Sequence, residues 1–274
     1  MKTSFGISIF SRKIILSALM VPSFTGTIYA SEPTIGSTSL CGDAYLLALT
    51  PDHISALSWQ SRSRLSDAEH THRALPQLWD ELEVLTTSPS DYVLFGAGEG
   101  QNAKKLNLTS LQLTWGEDFN SVIENADLVS QSLNVDNVLK TNLMQRLDDL
   151  KARSTKRAYK PKVFYLARSG GSAGDGTFVD SAIKAAGGVN IAPKSGWFTP
   201  DPEEIITLKP DLIITSYFND GYESINAAAL RNRAVQKFIN ATPRVEIDGA
   251  LWPCAGPRLI EAAEQIASAM DKLP

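Results

Sequence analysis

Histidine is scarce in this 274-residue chain: the three copies, His53, His70 and His72, all lie in its first third. That scarcity restricts the chemistry available. Gly170-Gly171-Ser172-Ala173-Gly174 matches the G-x-S-x-G of a hydrolase nucleophile elbow, between a predicted strand and a predicted helix. In that fold the histidine that takes the serine proton follows the serine in the chain, and here none does. Ser172 therefore reads as part of a glycine-rich turn, and a serine hydrolase is an alternative that the missing base opposes. Phosphate-binding loops are lacking too. Gly96-Ala97-Gly98-Glu99-Gly100 has neither the G-x-G-x-x-G spacing nor a clear helix behind it. Basic residues are in deficit, 26 against 30 acidic ones. Nucleic acid rewards clustered Lys and Arg, so it is not an expected partner. Beyond the N-terminal segment, no apolar run approaches the roughly 20 residues that cross a bilayer. No cofactor is expected.

What is present begins with an export signal. Lys2, Arg12 and Lys13 form a positive stretch, Ile14 to Phe24 is uncharged and apolar, and Thr25 to Ala30 is small or polar. This order predicts a Sec signal peptide over residues 1–30, cleaved after Ala30, and hence a soluble periplasmic protein. The apolar stretch is too short for a membrane anchor. Residue 31 is Ser, not Cys, so no lipid attachment is signalled. The signal holds three of the 26 basic residues and none of the acidic ones, which leaves the mature chain more acidic still. Cys41 and Cys254 then fall in an oxidising compartment. A disulfide, a metal pair and two buried thiols are all open for them.

A weak internal repeat organises the rest. Leu82-Glu83-Val84-Leu85 precedes Pro89-Ser90-Asp91 and the run Tyr92-Val93-Leu94-Phe95. Glu203-Glu204-Ile205-Ile206 likewise precedes Lys209-Pro210-Asp211 and Leu212-Ile213-Ile214. Each copy reads as a helical turn carrying Glu, a Pro-marked break, an Asp and a buried strand. Trp79 and Trp197 precede Glu83 and Glu203 respectively. The spacing is far longer than a solenoid period and predicts two lobes of similar build. Strands are predicted at 54–59, 111–114, 162–167, 212–215 and 245–247. Helices are predicted at 44–49, 119–154 with a break near Asn134, 177–186 and 257–270. This alternation predicts an α/β fold: two Rossmann-like lobes with parallel sheets, bridged by a single long helix. The boundaries are an N-terminal lobe at 31–134, a linker helix at 135–157 and a C-terminal lobe at 158–274.

Open parallel sheets bind ligands beyond the carboxyl ends of their strands. Trp59, Trp79, Trp115, Trp197 and Trp252 each fall near a predicted strand end or loop, and Tyr217 and Phe218 follow a strand directly. Large aromatics there wall a site for a planar or bulky ligand; the competing reading for each tryptophan is core filling. Arg62 and Arg168 occupy comparable positions and suit a carboxylate or delocalised anion. The expected ligand-binding set is Trp59, Arg62, Trp79, Arg168, Trp197, Tyr217 and Trp252. Glu69, His70 and His72 have ligand chemistry suited to zinc or manganese. They share one polar loop, and no histidine lies in the second lobe, so a free-metal binding protein stands only as an alternative.

The repeat joins other segments: Ser39-Leu40-Cys41-Gly42-Asp43 through Leu49, Ala185-Ala186-Gly187-Gly188-Val189-Asn190, and Trp252-Pro253-Cys254-Ala255-Gly256-Pro257. Together they resemble the class III periplasmic binding proteins of the iron-siderophore, haem and vitamin B12 ABC importers, over essentially the whole mature chain. The resemblance implies two lobes on a helical hinge that opens only modestly. It implies capture of a bulky iron chelate, haem or corrinoid between the lobes by a monomer without catalysis, and delivery to an inner-membrane permease. In that family one Glu on each lobe docks onto permease arginines, and Glu83 and Glu203 match those positions, with Glu204 an adjacent candidate. Trp79 and Trp197 resemble cleft aromatics that touch ligand. Cys41 and Cys254 would face the cleft, as a staple or as soft ligands for a metal complex.

Overall fold

The structure, a computed structural model, describes Met1 and residues 33–217 and 230–274, with Tyr217 described by its backbone alone. The predicted signal peptide past Met1, and Phe218, lie outside the described residues.

Five short strands make the first sheet: β1 (Ile35–Ser37), β2 (Ile54–Ser58), β3 (Gln77–Leu78), β4 (Tyr92–Phe95) and β5 (Ser110–Gln112). All are parallel, in the order β3-β2-β1-β4-β5. Ile35, Leu57, Leu94 and Phe95 are buried, as strands covered on both faces require. The crossovers carry helices α1 (Leu40–Leu49), α2 (His70–Arg73), α3 (Leu82–Thr86) and α4 (Ala103–Leu106). The central strand β1 is not among the strands that the sequence pattern predicts. Three residues are too few to show a period, and its burial comes from neighbours distant in sequence.

Helix α5 (Phe119–Leu133) starts on a capping box in which Asp118 and Ser121 serve each other's backbone N–H. It ends at Asn134, whose φ of 54° is left-handed. Helix α6 (Val138–Ser154) follows, capped by Asn137, within the predicted linker. Its buried Leu143 and Leu150 belong to one continuous core running from Ile35 to Met270.

The second lobe holds β6 (Lys162–Tyr165), β7 (Ser172–Ala173), α7 (Phe178–Ala185), β8 (Val189–Asn190), β9 (Trp197–Phe198), α8 (Pro202–Thr207), β10 (Leu212–Tyr217), α9 (Arg233–Ala241), β11 (Arg244–Asp248) and α10 (Leu259–Met270). Its parallel sheet runs β11-β10-β6-β8, and β7 and β9 form a separate antiparallel pair. Helix α6 packs on α1 and α5 of the first lobe and on α7 and α10 of the second. Arg146 grips Glu264 of α10 with two bonds of 2.7 and 2.6 Å. Arg153 and Arg157 share Asp271, just past the end of α10. Helix α6 is thus held to the second lobe by arginines and to the first by apolar packing and by Asn137 and Lys140 on Asp127 of α5.

The repeat has a structural counterpart. Asp91 accepts the backbone N–H of Thr34 (2.8 Å), just before β1, the neighbour of β4. Asp211 accepts that of Lys162 (2.7 Å), at the start of β6, the neighbour of β10. In each lobe the aspartate before one strand fixes the entrance of the strand beside it.

Candidate ligand-binding cleft

Parallel strands end together, and the loops that leave them converge. The turns after β1, β2, β4 and β5 bring Ser39, Gln60, Gly96, Ala97 and Glu99, and Leu113 to Glu117 to one cavity of about 600 Å³. The second lobe closes it with Gly176 to Phe178 and Gly196 to Trp197. This size lies within the range of small-molecule sites. Gly176 and Gly196 have φ of 81° and 68° and open space where a Cβ would stand, so backbone conformation alone calls for glycine there.

Two tryptophans face this space, one from each lobe. Trp115, past the end of β5, is 73% exposed, and Trp197 on β9 is 55% exposed. Large apolar rings left open at one site mark a surface awaiting a partner. Trp197 is held by Phe178, at a centroid distance of 5.0 Å, and by Tyr165 at 6.4 Å. Beneath these rings lies Trp252, 6.0 Å from Tyr165 and 6.2 Å from Phe178, and fully buried. Tyr45 of α1 also lines the cavity; its hydroxyl is buried, with the Asn125 side chain as its polar neighbour. Burial raises its phenol pKa far above the ordinary range. Cys41 and Cys254 form a disulfide with a Cα–Cα distance of 5.6 Å, and both line the cavity.

The expected site residues are placed as follows. Of the seven, Trp197 alone appears in the cavity wall among the described side chains. Trp59, 59% exposed, and Arg62 lie in a 3-10 turn after β2, outside the cavity. Trp79 lies in the loop before α3 and is not part of the wall. Arg168 is engaged by both oxygens of Glu246, at 2.7 and 2.8 Å. Trp252 supports the site from below, because the chain after β11 turns under the aromatic layer instead of over it. Tyr217's side chain lies outside the described residues. Trp115, Tyr45, Phe178 and Glu99 were not in the expected set. Trp115 alone had a readable signal, its place beyond a predicted strand.

Ser172 is fully buried and its hydroxyl donates to the Tyr165 carbonyl at 2.6 Å, an arrangement that holds a turn and offers no nucleophile to solvent. Among the described residues, no group of three His, Cys, Asp or Glu side chains is placed to hold a metal ion. Among the same residues, no helix is long and apolar enough to cross a membrane.

No family model matches the chain. A stretch of 117 residues is 28% identical to a cobalamin-binding protein of Halobacterium salinarum, covering 40% of this chain and 32% of that one. The match thus spans about a third of that curated relative. The haem-binding protein HutB of Vibrio cholerae aligns at TM-score 0.68 and 20% identity, over 88% of this chain and 99% of its own. Staphylococcus aureus IsdE, solved with haem, gives 0.69 and 16%, over 88% and 100%. The vitamin B12-binding protein BtuF of V. cholerae gives 0.61 and 18%, over 87% and 96%. The chain has the two-lobed fold of the class III periplasmic binding proteins.

Within that fold the two repeat glutamates take matching places. Glu83 in the first turn of α3 and Glu203 in the first turn of α8 are both exposed. Glu204 is occupied otherwise: it accepts the Asp201 N–H in a capping box and pairs with Lys194. Hydrogen bonds from these two groups hold its carboxyl below the usual range.

Proposed function

We propose that this protein is the substrate-capturing component of an ABC importer, without catalytic activity of its own. It takes a bulky iron chelate, haem or corrinoid between the lobes and hands it to an inner-membrane permease. The observation that carries this reading is the cavity at the strand ends, walled by one exposed tryptophan from each lobe, in a fold whose solved relatives include haem- and vitamin B12-binding proteins. Trp115 and Trp197 close on the ligand's conjugated faces as lobes 31–134 and 158–274 rock about the helix at 135–157. The protein acts as a monomer in the periplasm after loss of residues 1–30.

Glu83 and Glu203 present two separated carboxylates to a basic permease surface, which fixes orientation and speeds encounter more than it adds affinity. Glu203 is the better candidate than Glu204, whose carboxylate is already used within its own lobe. The test is uptake by cells carrying Glu83→Lys/Glu203→Lys. Uptake falls to background while ligand binding by the pure variant is unchanged; normal uptake contradicts the docking role.

A further inference from the structure

We propose that Glu99 and Glu117 make the cleft a charge filter, admitting neutral or cationic macrocycles rich in amide N–H groups and turning away haem and other carboxylate-bearing chelates. This rests on the capture reading above and narrows its ligand.

Among the described residues that line the cavity, the charged ones are Glu99 and Glu117, and none is Lys or Arg. Glu99 is fixed: its Oε2 accepts Thr38 Oγ1 at 2.6 Å and the Gly96 N–H at 3.0 Å. Its Oε1 takes no bond from the described residues and is available to a ligand donor. Glu117 is exposed at the rim. The buried Tyr45 hydroxyl and its neighbour Asn125 add polar groups to the same wall. Arg168, the cation expected to receive an anion, is neutralised by Glu246.

The opposing effect is the field of helices α1 and α7, whose N-termini open on the cavity. Each is worth about half a positive charge. Three of their first-turn N–H groups are served: Leu40 N by Gln60, Gly42 N by Ser39 and Asp180 N by Thr177. Asp43 also stands in the first turn of α1, and Asp180 of α7 is paired with Lys184. Two whole carboxylates outweigh two half-charges that are partly met, so the wall is net negative. A ligand carboxylate brought within about 5 Å of Glu99 is disfavoured on the order of a hundredfold at the effective dielectric of such a site. An amide N–H or a cationic metal centre meets the same oxygen favourably.

The experiment is a tryptophan-fluorescence titration at low salt with three probes: neutral cyanocobalamin, cationic cobinamide, and haemin with its two carboxylates. The wild-type protein is expected to bind both corrinoids at least tenfold tighter than haemin. Glu99→Gln/Glu117→Gln is expected to close that gap about tenfold by weakening cobinamide and strengthening haemin, with cyanocobalamin little changed. Gln at 99 keeps an acceptor for Thr38 and Gly96. Glu117→Gln alone, at an exposed position, gives a smaller shift of the same sign and guards against misfolding of the double variant. Tight haemin binding without corrinoid binding, or a preference unmoved by either variant, overturns the filter and leaves the capture reading intact. Binding of none of the three overturns the filter, and failure to bind a ferric siderophore chelate as well overturns the capture reading itself.

Discussion

Asp43 shows how a single residue sets a pH dependence. Two bonds from Ser58, at 2.9 and 2.6 Å, favour its anion, but burial dominates and raises its pKa from 3.8 to about 6. The folded protein therefore keeps a proton that the unfolded chain sheds near pH 4. The stability from this group is full below that pH and is lost as pH rises through about 6, a change on the order of 3 kcal/mol. Asp43→Asn removes the ionisation and still offers an acceptor and a donor to Ser58. Its denaturation midpoint is expected to vary less than wild type between pH 4 and 6, and not to fall at pH 7.5; an unchanged pH slope contradicts the assignment. The tryptophans divide in the same way. Trp252→Ala empties the core and is expected to cost about 3–5 kcal/mol in chemical denaturation. Trp197→Ala leaves stability nearly unchanged and weakens ligand. Sequence cannot separate these two, because it locates a strand end but not whether the following loop runs over or under the aromatic layer.

At the scale of elements, the repeat was the most legible feature, because Pro, Asp and an apolar run leave marks in the sequence. Its physical sense emerged only from pairing: Asp91 and Asp211 fasten the strand next door. Asp91→Ala and Asp211→Ala are expected to speed amide hydrogen exchange at Thr34 and Lys162 respectively, each in its own lobe; unchanged protection at those amides contradicts that role. Strands β3, β7, β8 and β9, of two residues each, were not legible, since their length carries no period. Helix α9 went unread because its apolar face is only Val235, Phe238 and Ile239 in a polar helix. Helix α6 was readable from its leucines, but its arginine clasp on α10 was not, because the acceptors Glu264 and Asp271 lie far along the chain.

For the whole molecule, the lobes are joined twice. Helix α6 is one connection. The other is the crossing at 253–258, where Cys254 is bonded to Cys41, Arg258 pairs with Asp67, and a Cβ on Gly116 would meet the Cys254 carbonyl at 2.1 Å. The sequence left three states open for the two cysteines, a disulfide, a metal pair or two buried thiols, and only the folded chain brings them together as a disulfide. A cross-link over 213 residues restricts the unfolded chain strongly, by about 5 kcal/mol in the chain-entropy account. Reduction, or Cys41→Ser/Cys254→Ser, is expected to lower the melting temperature and to quicken ligand release by freeing the lobes; release at the wild-type rate contradicts the second effect. The central claim, that ligand is held between the lobes by Trp115 and Trp197, is tested most directly by titrating the protein with corrinoids, haemin and ferric chelates and comparing it with Trp115→Ala/Trp197→Ala. The account predicts saturable binding of at least one of these with one site per chain, weakened at least tenfold in a variant that still folds. Undiminished affinity in that folded variant would contradict it.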